Sequence, residues 1–167
     1  MKVGDVMQRR FDRLDPAASV LEASHVMLLT GHEALPVMEG ERLAGMVAER
    51  DILDRLLQDL SGDVYAWGPG SVDLEDADAF RRVATVTVAE LMSRRVVTTT
   101  PEAPALRAAA TMRARRVRRL PVVQDDRVVG LIFQADILEA MVRSLPPATR
   151  RTIRERAPAG QSANQPS

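Results

Sequence analysis

The chain has no cysteine and only two histidines, His25 and His32, in 167 residues. No disulfide framework, thiolate nucleophile or sulfur-ligated metal site can therefore be built. The two histidines stand seven residues apart with no carboxylate at a metal-ligand spacing, so a structural or surface role is expected for both. Aromatic side chains make up 3% of the sequence, too few to supply the base-stacking platforms of a single-strand binder. Neither sign of charge dominates. Basic and acidic residues number 23 each, and residues 1–145 carry 19 basic against 22 acidic. A general nucleic-acid binder would be basic through its body, so nucleic acid is not an expected partner. No apolar run approaches the roughly 18 residues that span a bilayer, and Met1-Lys2-Val3-Gly4 leads into no signal-peptide core. A cytoplasmic protein with no membrane association is expected. Nothing matches a catalytic triad or a phosphate-binding P-loop. Glu49, Asp51 and Asp54 cluster, but at a helix start, where acids are expected without catalysis. An enzyme is not indicated.

What the chain does contain is one pattern written twice. Leu35-Pro36-Val37, Gly45 and Asp51-Ile52-Leu53 recur as Leu120-Pro121-Val122, Gly130 and Asp136-Ile137-Leu138, always at an offset of 85. The register runs without a gap from residues 3–57 onto 88–142 and also carries Met7, Pro16, Ala23 and Met27 onto Met92, Pro101, Ala108 and Met112. A unit of about 55 residues is marginal alone, so two should share a core.

Within each unit a short helical turn (3–7, 88–92) leads to a strand at Phe11–Leu14 or Val96–Thr100, where β-branching is strong in the second copy. Pro16 and Pro101 should end these strands and open a helix. Its apolar positions are Val20, Leu21, Ala23, Met27 and Leu28, then Ala105, Ala108, Ala109 and Met112. Two short strands follow as a hairpin, turning at Glu39-Gly40-Glu41 or Gln124-Asp125-Asp126. A closing helix places Leu53, Leu56, Leu57 and Leu60, then Leu138, Met141, Val142 and Leu145, on one face, and Pro146-Pro147 stops the second copy. The expected division is 1–57 for the first repeat, 58–86 for an inserted linker, 87–145 for the second repeat and 146–167 for a disordered tail. In the insertion, Gly68-Pro69-Gly70 marks a loop and Asp73–Ala84 a helix. Tyr65 and Trp67 either pack the insertion onto the body or cover a ligand or partner surface.

The doubled Leu-Pro-Val, strand glycine and Asp-Ile-Leu helix start resemble the cystathionine-β-synthase (CBS) domain, and two in tandem are similar to the pair called a Bateman module. The resemblance covers about two thirds of the chain. It implies an α/β (α+β) fold of two βαββα repeats packed with pseudo-two-fold symmetry. It also implies an adenosine-containing ligand such as AMP, ADP or ATP in a cleft between them, with no tightly bound cofactor. The family's ligand motif falls on Gly45 to Asp51 and Gly130 to Asp136, with Ala48 and Phe133 where a hydroxyl is usual. Asp51 and Asp136 have two readings. A carboxylate in a first helical turn can take ribose hydroxyls, or it can simply cap its helix, worth about 1 kcal/mol. Ala48 leaves room for a phosphate, whereas Phe133 fills its cleft or stacks on a base. By the same resemblance, adenine meets the backbone at Ala34-Leu35-Pro36 and Arg119-Leu120-Pro121, with Arg13 and Thr98 at its edge.

Arg113, Arg115, Arg116, Arg118 and Arg119 form either a solvated helix end or, in part, a polyphosphate contact. The resemblance thus implies a regulatory module that senses an adenine nucleotide, forms a homodimer and signals to a partner protein that the sequence does not identify. The alternative is a degenerate pair acting as a protein-interaction module without nucleotide.

Overall fold

The computed structural model describes residues 1–61, 81 and 84–156. The loop at Gly68-Pro69-Gly70, Tyr65, Trp67, the Leu60 side chain, the body of the helix expected at Asp73–Ala84 and the stretch 157–167 all lie outside the described residues.

Each repeat is built on a hairpin. Strand β1 (Ala34–Glu39) pairs antiparallel with β2 (Arg42–Ala48), and β3 (Arg119–Gln124) with β4 (Arg127–Phe133), each pair carrying one bulge at the equivalent place. Gly40 (φ 63°) closes the first turn, and Asp125 (φ 51°) with Asp126 (φ 60°) the second. Glycine and aspartate are the residue types that tolerate this left-handed region.

The expected opening strand of each repeat is a single bridge, Leu14 to Val37 and Thr99 to Val122. Leu14 donates to Pro36 O and its carbonyl accepts from Met38; Thr99 does the same with Pro121 and Val123. A parallel ladder would next need donors at residues 36 and 16, or 121 and 101. All four are proline and have no N–H. The ladder therefore stops at one rung.

The helices that follow also start later than Pro16 and Pro101 suggest. Helix α2 (Val20–Thr30) begins at Ser19, whose hydroxyl accepts from Glu22 N–H while the Glu22 carboxylate accepts from Ser19 N–H at 2.7 Å. The Ser-x-x-Glu spacing is a capping box that outcompetes proline as the start signal. Its counterpart α5 (Ala105–Arg115) has Pro104 at the cap and no side-chain cap. Val20, Ala23 and Met27 turn inward as expected, as do Ala105, Ala108 and Met112. Leu21 and Leu28, expected on that face, are exposed, because their positions fall on the outer flank of the helix. The closing helices are α3 (Glu49–Ser61) and α6 (Gln134–Ser144).

The two sequence repeats are not the two structural units. The short turn α1 (Val3–Val6) buries Val3, with Met7, in the core of the second repeat, against Ala105, Met112, Leu120 and Ile132. Turn α4 (Val88–Leu91) puts Val88 and Met92 into the first core with Val20, Met27, Leu35 and Val47. Bonds across the exchange repeat at the offset of 85. Val3 N–H donates to Ala103 O at 2.9 Å and Val88 N–H to Ala18 O at 2.8 Å. Gln8 and Leu131 exchange backbone hydrogen bonds, and so do Ser93 and Met46. This is the expected pseudo-two-fold packing, with the boundaries at 57 and 87 crossed in both directions.

A further helix, α7 (Pro147–Arg156), occupies the first part of the expected disordered tail. Proline suits a first helical position, and the alanine, arginines and glutamate behind it are strong helix formers. Among the described residues no helix is long and apolar enough to cross a membrane.

Candidate functional site

Strand β2 delivers Met46, Val47 and Ala48 to the point where α3 begins, and the exchanged segment of the second repeat brings Ser93, Arg95, Val96 and Val97 alongside. Together with Glu33 and Ala34 and the stretch from Arg115 to Arg119, they enclose a cavity of about 500 Å³, within the usual size of a small-molecule site. Ala34, Ala48, Asp51, Arg119 and Pro121 of the expected nucleotide residues line it, and both repeats contribute to its wall.

Asp51 caps its helix and also lines the cavity. One carboxylate oxygen, Oδ2, accepts the Ala48 N–H at 2.9 Å and so caps α3. The other, Oδ1, forms a loose ion pair with Arg50 Nε at 3.6 Å, beyond hydrogen-bond reach, on a side chain 28% exposed. That oxygen accepts no hydrogen bond and keeps its acceptor capacity beside the cavity.

The equivalent residues in the other half have partners within the protein. Asp136 caps α6 through the Phe133 N–H at 2.9 Å, and its second oxygen accepts Gln8 Nε2 at 2.9 Å. Phe133 stands where Ala48 stands in the first repeat. Its ring stacks on His32 with centroids 5.3 Å apart and planes 26° apart, and Arg119 Cζ lies 4.9 Å from its centroid. His32 is thus a packing residue, and Phe133 is held between a ring and a cation.

Pairs at the same offset meet between the halves. Arg118 Nη1 donates to Glu33 Oε1 at 2.7 Å, and Arg119 Nη1 donates to Ala34 O at 2.5 Å. Burial, first of all, pulls the Arg119 guanidinium below its ordinary value; Glu33 opposes this and Arg118 adds to it. Of the arginine run, Arg115, Arg116, Arg118 and Arg119 line the cavity and Arg113 does not.

Several expected residues lie elsewhere. Leu35 and Leu120 are core residues at 0% and 1% exposure, and Pro36 is buried between strands. Gly45 faces the exchanged segment: a Cβ there would lie 2.7 Å from Met92 Sδ and 2.9 Å from Ser93 O, so its glycine serves inter-repeat packing. Thr98 and Arg13 are exposed and outside the lining, which takes Val96 and Val97 instead. Arg95 and Ser93 had no local signal in the sequence. They reach the cavity only because residues 88–97 cross into the first repeat.

The sequence profile of the family described as "CBS domain" matches residues 3–58 and 88–143. Among characterised sequences, the chain is similar to the CBS domain-containing protein YhcV of Bacillus subtilis, 27% identical over 135 residues that cover 81% of each chain. It is also 27% identical over 106 residues to the mitochondrial CBSX3 of Arabidopsis thaliana, covering 62% of this chain and 42% of that one. Among solved structures, protein MJ1225 of Methanocaldococcus jannaschii superposes with a TM-score of 0.70 at 24% identity, over 84% of this chain and 47% of that one. CBSX2 in complex with AMP superposes with a TM-score of 0.66 at 23% identity, over 85% of this chain and 96% of that one. At these identities the structures establish the fold.

Proposed function

Since this chain belongs to the CBS domain family, we propose that it is a regulatory module that takes an adenosine-containing nucleotide of the AMP, ADP or ATP class in the cavity beside Asp51. The observation that carries this reading is the open Asp51 oxygen at the start of α3, in a cavity whose wall comes from both repeats. Asp51 Oδ1 would accept from the ribose, and the arginines beside it would meet the phosphate. The AMP complex of CBSX2, a structure with the same fold, supports the ligand class. A ligand touching both repeats favours one relative arrangement of the halves through its differential affinity, and that arrangement is what a partner protein would read. No step of chemistry is assigned to the site.

Thermal-shift titration tests the reading. At 100 times its dissociation constant a nucleotide stabilises the fold by about 2.7 kcal/mol. The Asp51→Asn variant keeps an acceptor for Ala48 N–H and should lose most of that response. A flat response of the wild-type protein to AMP, ADP and ATP would leave the second reading, a protein-interaction module without nucleotide. That reading is favoured by Phe133 and Gln8, which satisfy the second cleft internally.

The exposed apolar positions of the closing helices, Leu53 (55%), Leu138 (63%), Met141 (46%) and Val142 (47%), support a homodimer through that face. Sedimentation as a monomer at high micromolar concentration would exclude it.

A further inference from the structure

The residue that ends α5 is Arg116, in the left-handed conformation with φ 54° and ψ 39°. Its counterpart, one repeat earlier, is Gly31, with φ 67° and ψ 22° at the end of α2. Glycine is the usual occupant of this helix-ending position, because a Cβ collides with the following carbonyl there. The only other described non-glycine residues at positive φ are Asp125 and Asp126, of a type that tolerates the region. Arginine has no such compensation, and the fold of the first repeat demonstrates that glycine serves the geometry.

Arg116 lines the cavity, and so do Arg95 and Arg115. Among the described residues none of these three makes an ion pair or a side-chain hydrogen bond, whereas Arg118 is paired with Glu33 and Arg119 is bonded to Ala34 O. Six guanidiniums line this one cavity against the carboxylates of Glu33, Glu49 and Asp51. The run from Arg115 to Arg119 answers to Thr30, Gly31, His32, Glu33 and Ala34 in the other half, so Arg115 and Arg116 have no cationic counterpart, whereas Arg95 answers to Arg10.

We infer that Arg95, Arg115 and Arg116 form a polyphosphate subsite at the mouth of the cavity, and that Arg116 keeps its unfavourable backbone conformation for that task. This rests on the nucleotide reading above and deepens it: the ligand carries two or more phosphates. A monophosphate held near Asp51 leaves the three outer guanidiniums without a partner. A cationic adenosyl group such as S-adenosylmethionine meets an excess of like charge.

The test is calorimetric titration of the full chain with ATP, ADP, AMP, S-adenosylmethionine and inorganic tripolyphosphate at one ionic strength, for wild type and Arg116→Gly. Affinity should fall in the order ATP, ADP, AMP, with S-adenosylmethionine weakest. Arg116→Gly should weaken ATP and tripolyphosphate about tenfold, the loss of one charge-assisted contact, and leave AMP within about twofold. The same variant should melt no lower than wild type, because glycine relieves the left-handed residue. A purely structural role for Arg116 would instead lower the melting temperature and leave the affinities together. AMP binding as tightly as ATP, or ATP binding unmoved by Arg116→Gly, overturns the subsite and leaves the nucleotide reading in place. If no adenosine ligand binds, that reading falls, and tripolyphosphate decides the subsite: binding lost in Arg116→Gly upholds it, and no binding overturns it.

Discussion

The two clefts of this molecule start from the same frame and are lined by different side chains. Each has a strand glycine, a hairpin, an aspartate capping a helix through the N–H three residues before it, and a methionine from the other repeat packed on the glycine. One is a cavity edged with arginine; in the other, Phe133 lies between His32 and Arg119, and Gln8 is bonded to Asp136. The elements that hold the halves together are common to both, and the side chains facing the ligand space are not. A pseudo-symmetric frame thus carries two different linings, because packing between the repeats holds the glycine and methionine positions alike, whereas Ala48 answers to Phe133.

The sharpest way to break the comparison is to exchange those two residues. Ala48→Phe should put the ring of the second half into the first cleft and weaken nucleotide binding at least about a hundredfold, or roughly 2.7 kcal/mol, while the protein stays folded by circular dichroism. The reverse change, Phe133→Ala with Gln8→Ala, should cost about 1–3 kcal/mol, below the roughly 3–5 kcal/mol of a fully buried phenylalanine. Calorimetry should then count a second, weaker site. An Ala48→Phe protein that binds as wild type would place the asymmetry elsewhere.

The glycines test the frame the clefts share. A Cβ at Gly130 would lie 2.7 Å from the Gln8 carbonyl oxygen, which is backbone, while at Gly45 the nearest atom is the flexible end of Met92 at 2.7 Å and Ser93 O lies at 2.9 Å. Both Gly→Ala changes should destabilise in urea, by about 1–3 kcal/mol each. Gly130→Ala should be the worse of the two, since backbone cannot step aside as a thioether can.

The smallest effect concerns helix ends. Backbone N–H donation from Ser19 and Thr87, at 2.7 Å each, holds the Glu22 and Glu90 carboxyls below the ordinary glutamate value of 4.5. A carboxyl lowered on folding stabilises fully above its unfolded value and loses that contribution as the pH falls through the folded value. Melting temperature should therefore drop between about pH 5 and pH 3, and the Glu22→Gln, Glu90→Gln protein should show a shallower drop. The caps are exposed, so the difference should be slight.

The frame was readable from residue spacing because repetition at a fixed offset requires no knowledge of contacts. Leu-Pro-Val, Gly45 and Asp51 mark the hairpin and the helix start wherever the halves lie. What spacing hid was everything decided across the halves. Gly45 reads as a ligand contact until Met92 is found on it, and Thr98 reads as an edge of the site until Val96 and Val97 are found in the lining without it. The proline pairs Pro16/Pro36 and Pro101/Pro121 were visible, but their effect on a parallel ladder follows only once the partner strand is known. Arg116 was visible as one arginine among five; its backbone conformation was not.

The exchange of Val3–Met7 and Val88–Met92 sets a timetable for synthesis. The first half emerges with its hairpin and helices complete and yet without Val88 and Met92, so its interior must wait for residues from beyond the insertion. Val3 and Met7 meanwhile belong to a core whose other members, from Ala105 to Ile137, are made only with the second half. Deleting seven residues from the N-terminus should therefore wound the distant half of the molecule first, and neither half should fold when expressed by itself.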